Sequence, residues 1–206
     1  MYLVIMMRII LASKSPYRKE LLKRLGIEFE CVNSHLDENL LKSEIKDPVK
    51  LTQALALEKA KIVAKEYNDA VVIGSDQVAH LGQEILGKTG SYEGSIEQLL
   101  KLQGKNHELI TSYAIIFKGK ELVRTNKTIL TMRRLDISQI KKYLSNDNPI
   151  DCAGSYKLEL NGISLFKNIE TSDHTAIIGL PLIELGNDLN DLGISIPPIQ
   201  GVKGCL

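Results

Sequence analysis

RIILASKSPYRKELLKRLG, residues 8–26, is the stretch whose reading decides the fold. Arg8-Ile9-Ile10-Leu11 is a short apolar run with the length of a buried strand. Ala12-Ser13-Lys14-Ser15 interrupts it with small and polar residues. Pro16 then stands where a first helical position belongs, with Ser15 as the N-cap. Leu21, Leu22 and Leu25 share one side of the helix that follows, and Gly26 closes it. A strand, a small-residue loop and a helix N-terminus in this order aim backbone N–H groups and the positive end of the helix dipole at one spot. That geometry suits a phosphate. Lys14 and Arg18 flank the spot, and Arg18 has the forked donors that phosphate oxygens need. An ordinary strand–helix connection with solvated charges is the alternative.

Working outward, residues 27–32 read as a second strand and residues 33–38 as a polar loop. Asp47 and Pro48 open a long helix that runs to about Tyr67, with Leu51, Ala54, Leu55 and Ile62 on one face and Lys59 within it. Residues 70–74, AVVIG, are apolar on both faces and read as a central strand. That strand delivers Ser75-Asp76-Gln77 at its carboxyl end, where open α/β sheets bind ligands. Residues 78–86 read as a hairpin turning at Gly82-Gln83, and Gly87-Lys88 follows it. Ser95 caps a short helix stopped at Gly104. Residues 107–133 form a long hairpin turning at Gly119-Lys120. Ser138 caps a helix to about Leu144, residues 164–166 read as a short strand, and Pro181 opens a last helix over 182–192. Strands and helices mix throughout, which predicts an α/β fold with an antiparallel section.

The length suits one domain with a sizeable core, or two small lobes. The net charge of +1 argues against a nucleic-acid-binding protein that works by bulk charge. No apolar run approaches a membrane span. Cys31, Cys152 and Cys205 are odd in number, far apart and without metal-ligand spacing, which fits a reducing, cytoplasmic setting. Residues 1–7 precede every pattern in the chain and read as a dispensable extension.

Asp76 is the leading candidate for chemistry, because a carboxylate after a fully apolar strand does not serve solubility. A turn acid capping the next segment is the alternative. Asp37 and Glu38 supply further carboxylates from a loop. Carboxylates from two loops suit a hard divalent cation, Mg2+ or Mn2+. Arg18, Lys59 and Lys88 are the matching cations. His35, His80, His107 and His174 show no metal spacing. No Walker-type phosphate loop and no GxGxxG with an acid at dinucleotide spacing is present.

Six segments in order, LASKSPYRKELL (11–22), LALEKA (55–60), VIGSDQV (72–78), ILGK (85–88), CAGSYKLE (152–159) and IIGLPL (177–182), resemble the Maf family of nucleoside triphosphate pyrophosphatases, also described as septum-formation inhibitors. The likeness covers about residues 8–192. Ser75-Asp76-Gln77 and Glu159 look like the 7-methyl-GTP branch. The dTTP/UTP branch shows threonine and glutamine where Gln77 and Glu159 stand. Tyr17 stands where the 7-methyl-GTP branch often has tryptophan, and Leu160 where glycine is usual. The resemblance implies an elongated mixed α/β sheet with flanking helices and two lobes around a cleft. It also implies metal-dependent hydrolysis between the α and β phosphates, to a nucleoside monophosphate and pyrophosphate. It makes Asp76 the proton acceptor, places Ser13, Arg18, Glu38, Lys59 and Lys88 in the phosphate and metal pocket with Glu38 and Asp76 on the metal, and gives substrate choice to Tyr17, Gln77 and Glu159. A homodimer would suit the family. The competing readings are a dTTP/UTP or broad-specificity pyrophosphatase and a non-catalytic binding protein that regulates septum formation.

Overall fold

Ile9–Leu11 forms β1 and Pro16–Lys23 forms α1. Ser15 caps α1 by accepting from the Arg18 N–H, with Pro16 in the first turn, as the sequence predicts. The structure, a computed structural model, describes residues 7–198. The expectation for residues 1–6 lies outside that range. Met7 is described, and it packs against the cluster that contains Ile9 and Leu189.

The remaining strands are β2 (Glu30–Cys31), β3 (Val71–Leu81), β4 (Glu84–Leu86), β5 (Asn106–Phe117), β6 (Lys120–Met132) and β7 (Phe166–Glu170). The remaining helices are α2 (Asn39–Glu44), α3 (Pro48–Ala64), α4 (Tyr92–Leu102), α5 (Ile137–Asp147) and α6 (Leu182–Asp191). One mixed sheet runs in the order β2-β1-β3-β5-β6-β7, with β4 paired to β3. β1 is parallel to its neighbours β2 and β3, and the β3–β5–β6–β7 pairings are antiparallel. The fold is the mixed α/β sheet with flanking helices expected from the sequence.

Several boundaries differ from the sequence reading, each for a physical reason. β3 does not stop at Gly74. It continues through Ser75, Asp76 and Gln77 to Leu81, so Asp76 lies within the strand. Polar side chains are tolerated there because Asp76 pairs across the sheet with Ser112, which hydrogen-bonds Thr52 on α3 and Thr125 on β6. β2 is only two residues long. α3 ends at Ala64. α4 is capped by Ser91 rather than Ser95, whose hydroxyl instead bonds back to the Ser91 carbonyl. α5 begins at Ile137 and is capped by Asp136, which accepts from Ser138 and Gln139 in a capping box, and it runs on to Asp147. Residues 161–165 form a 3-10 turn before β7, which begins at Phe166. α2, unforeseen, has no fully buried side chain and packs on the core through the partly buried Leu41, too little for an amphipathic pattern to show.

Side-chain alternation splits the central strands between two layers. Ile9, Leu11, Ile73 and Tyr113 meet α1 and α6 through Leu21, Leu22, Leu185 and Leu189. Ile10, Val72 and Ala114 meet Ala56, Ala60 and Val63 of α3. A third cluster joins α4 and α5 to the far end of the sheet through Leu99, Leu102, Ile140 and Leu144.

Gly74 sets the approach of α3. A Cβ there would stand 2.2 Å from the Ala56 carbonyl oxygen and 2.9 Å from the Ala60 nitrogen. Only glycine lets the helix backbone seat this closely on β3. Gly74→Ala therefore forces helix and strand apart and costs about 1–3 kcal/mol or more. Urea unfolding checks this, and a loss below about 0.5 kcal/mol would show that the contact relaxes freely.

His107, 2 % exposed on β5, places Nε2 2.9 Å from the Tyr156 hydroxyl and packs against Phe166. Burial lowers its pKa from 6.5 to about 4. The unfolded chain thus binds a proton more readily than the folded one between those values. Stability from this group is full above about pH 6.5 and is lost as pH falls towards 4. Between pH 7.5 and 5 the parent is expected to lose about 2 kcal/mol more than His107→Gln. Parallel pH dependences in urea unfolding would contradict the assignment.

Candidate active site

β3 pairs with β5 along one edge from Val72 to His80. On its other edge β1 pairs as far as Ile73, and β4 begins at Ala79. Residues 74–78 therefore present an open sheet edge, and the candidate site is built around it. Three adjoining hollows surround this edge, of about 100, 460 and 670 Å3, and all three are lined by Arg18 and Lys88. The two larger ones fall within the range of small-molecule sites, roughly 300–1,000 Å3.

Asp76 is 8 % exposed. The Lys59 ammonium, brought over the strand by α3, donates to Asp76 Oδ1 at 2.7 Å and lies 2.6 Å from Glu38 Oε1. Lys42, one turn along α2, holds the other Glu38 oxygen at 2.6 Å. Burial alone would raise the Glu38 pKa, but the two lysines outweigh it and hold it at about 2. Glu38 is thus a carboxylate throughout the physiological range.

Arg18 projects from the first turn of α1. Its Nε donates to the Gly179 carbonyl at 3.0 Å. The Ser75 hydroxyl lies 2.9 Å from the same oxygen and from the Ser112 carbonyl. Gly179 has φ 125°, a backbone conformation that favours glycine. Burial lowers the Arg18 pKa, opposed by Asp76 and Glu38, so the guanidinium remains a fixed positive charge beside them. Ser13, largely buried, accepts from the Ser15 N–H at 3.1 Å, which leaves its hydroxyl proton free to point into the adjoining hollow. Lys88 stands on the loop after β4. A β-bridge from Lys88 to Ala153 and a Gln98 bond to the Gly87 carbonyl at 3.2 Å hold that loop. Gln98 also accepts from Ser155 at 2.7 Å, tying the Lys88 loop to the CAGSYKLE segment.

The smallest hollow lies between Tyr17 and residues 151–159. Gln77 lines it, but the Gln77 amide nitrogen donates to Thr111 and to the carbonyls of Ala176 and Ile177, at 2.8, 2.8 and 3.1 Å. What Gln77 offers a ligand is therefore its oxygen, an acceptor, and not the donor needed to read a carbonyl. Glu159 is exposed at the rim of the same hollow. The Cys152 thiol also lines it. Burial and the neighbouring Asp151 push that thiol up to about 12, which removes it as a nucleophile.

The nine residues that the resemblance assigns to the site line these hollows, whereas Asp37 lines none of them and accepts from the Asn39 N–H at 3.0 Å. The sequence reading missed Lys42, Gln98, Asp151, Lys157 and the carbonyl of Gly179. Only Lys42 left a local signal, its i,i+4 spacing from Glu38. Among the described residues, no group of three His, Cys, Asp or Glu side chains could hold a metal ion. Glu38 and Asp76 are two hard oxygen donors on one ammonium. They fit a cation that takes its remaining ligands from phosphate oxygens and water, and they do not make a protein-only cage. No helix among the described residues is long and apolar enough to cross a membrane.

Comparison with known proteins adds to this geometry. A 7-methyl-GTP pyrophosphatase of Bdellovibrio bacteriovorus is 44 % identical over 91 % of this chain and 98 % of its own length. Proteins of the same name from Pseudomonas savastanoi pv. phaseolicola and Pseudomonas aeruginosa are 42 % and 40 % identical, each over 92 % of this chain and 98 % of their own. Among solved structures, a HAM1 protein from Coxiella burnetii is similar with a TM-score of 0.42 at 13 % identity, over 63 % of this chain and 75 % of that one, too loose a likeness to carry an argument. The family model for Maf-like proteins matches residues 8–192, the span that holds every side chain of the cleft, and the chain belongs to the Maf-like family.

Proposed function

We propose that this protein hydrolyses the bond between the α and β phosphates of a nucleoside triphosphate with a modified base, 7-methyl-GTP in the first instance, and releases the monophosphate and pyrophosphate. The observation that carries the reading is Asp76, a buried carboxylate 2.7 Å from Lys59 on an open strand edge, with Arg18 and Lys88 over the same hollows. Attack of water on a phosphoryl group asks for positioning and charge neutralisation above all. Arg18, Lys59 and Lys88 neutralise the triphosphate, and the Ser13 hydroxyl adds a donor beside α1. Asp76 accepts the proton of the attacking water. A divalent cation held by Glu38 and Asp76 would supply further neutralisation of the phosphate oxygens.

The base end is rich in acceptors. Guanine presents two donors on its Watson–Crick edge, the ring N1–H and the exocyclic amine. The Glu159 carboxylate can accept both, and the Gln77 oxygen adds a second acceptor nearby. Uracil and thymine offer one donor between two carbonyls, so the same groups would face a repelling oxygen. The names of the relatives point to the same substrate.

A panel of nucleoside triphosphates, standard and 7-methylated, tests the reading with pyrophosphate release as readout. The highest kcat/KM is expected for 7-methyl-GTP in Mg2+ or Mn2+, with hydrolysis lost in excess chelator and regained on adding the metal back. Faster turnover of UTP or dTTP would overturn the substrate, and undiminished hydrolysis in chelator would overturn the metal.

A further inference from the structure

Tyr17 and the segment after α5 meet across the smallest hollow. The Tyr17 hydroxyl donates to Asp151 Oδ2 at 3.2 Å, a contact between residues 134 apart in the chain. Lys157 extends into the same place. Its ammonium lies 5.7 Å from the Tyr17 ring centroid and 3.4 Å from Asp151 Oδ1, and donates to the Asn148 carbonyl at 3.2 Å. The Lys157 side chain is 13 % exposed, so this is not a solvated lysine that happens to pass an aromatic ring. An aromatic face, a carboxylate and a carbonyl converging on one ammonium are the parts of a cation seat. The hydroxyl's bond to a carboxylate also makes the Tyr17 ring richer in electrons and fixes its plane.

The hollow beside this contact measures about 100 Å3, well under the roughly 300–1,000 Å3 of small-molecule pockets. Tyr17 and Asp151 line the hollow and Lys157 does not, so a base that stacks on Tyr17 competes with Lys157 for the ring and for Asp151. A neutral base can share the space with an ammonium and accept from it. A base that itself carries a positive charge is repelled by that ammonium and attracted by Asp151.

We propose that Tyr17 and Asp151 form the seat for a cationic base, that Lys157 occupies this seat in the present structure, and that the charges at positions 151 and 157 set the discrimination between a cationic base and its neutral counterpart. This rests on the nucleotide pyrophosphatase reading above. Asp151 and Lys157 are specificity-determining residues that act on the base, and Asp151 stands where the smallest hollow meets the one lined by Ser13, Glu38 and Lys59.

The test compares kcat/KM for 7-methyl-GTP and for GTP, which differ only by the methyl group and its charge. The two variants are expected to move the ratio in opposite directions. Lys157→Met should raise the preference for 7-methyl-GTP at least about threefold, and Asp151→Asn should lower it at least about threefold. Lys157→Arg, which keeps the charge, should leave the ratio near that of the parent. A role confined to holding the loop would move both charge-removing variants the same way. That outcome, or ratios within about twofold of the parent in both, would overturn the proposal while leaving the pyrophosphatase reading intact. Absence of 7-methyl-GTP turnover by the parent would overturn both.

Discussion

The Lys59 ammonium stands between two carboxylates, 2.7 Å from Asp76 and 2.6 Å from Glu38, and the rest of the cleft follows from that arrangement. Two acids facing one hollow would repel each other and any polyphosphate. Lys59 offsets both charges at the open edge of β3, and with Lys42 it holds Glu38 as a carboxylate. Lys42 takes the outer oxygen of Glu38, so the loop that carries Glu38 is tied to the short helix α2. Removing one partner from such a set leaves the others uncompensated, which costs more than the pair itself contributes.

Lys59 reaches Asp76 only because α3 lies unusually close to the sheet. Gly74 and the small residues Ala56 and Ala60 remove the side chains that would hold helix and strand apart. The strand edge is free because β1 pairing ends at Ile73 and β4 pairing resumes at Ala79, which leaves the five residues 74–78 between them. α1 and α6 pack on one layer of the sheet and α3 on the other, while α4 and α5 pack at its far end. A polar strip behind Asp76, formed by Ser112, Thr52 and Thr125, replaces the hydrophobic packing that a central strand would otherwise have there.

Much of this was legible in the sequence where the signal was local. The Ser15-Pro16 and Asp47-Pro48 pairs marked two helix starts correctly, because cap and first turn are adjacent in the chain. Ser95 and Ser138 misled because a better cap, Ser91 or Asp136, stood a few residues earlier, and only the hydrogen bonds choose between them. The apparent end of β3 at Gly74 came from reading polarity as exposure, whereas Asp76 and Ser75 are buried against partners on other elements. The motif residues told which side chains belong together. They could not show that Gln77 spends its nitrogen on backbone carbonyls, or that Tyr17 meets Asp151 and Lys157, because those contacts join segments about a hundred residues or more apart.

We propose that the charge on Asp76 does the work of hydrolysis while the surrounding cations do the work of binding. Asp76→Asn keeps the size of the side chain and most of its hydrogen bonding and removes only that charge. Turnover and nucleotide affinity should be measured side by side in this variant and the parent. Turnover is expected to fall at least about a hundredfold, the usual reach of a positioned proton acceptor, with affinity for the triphosphate kept. Turnover within a few-fold of the parent would contradict it.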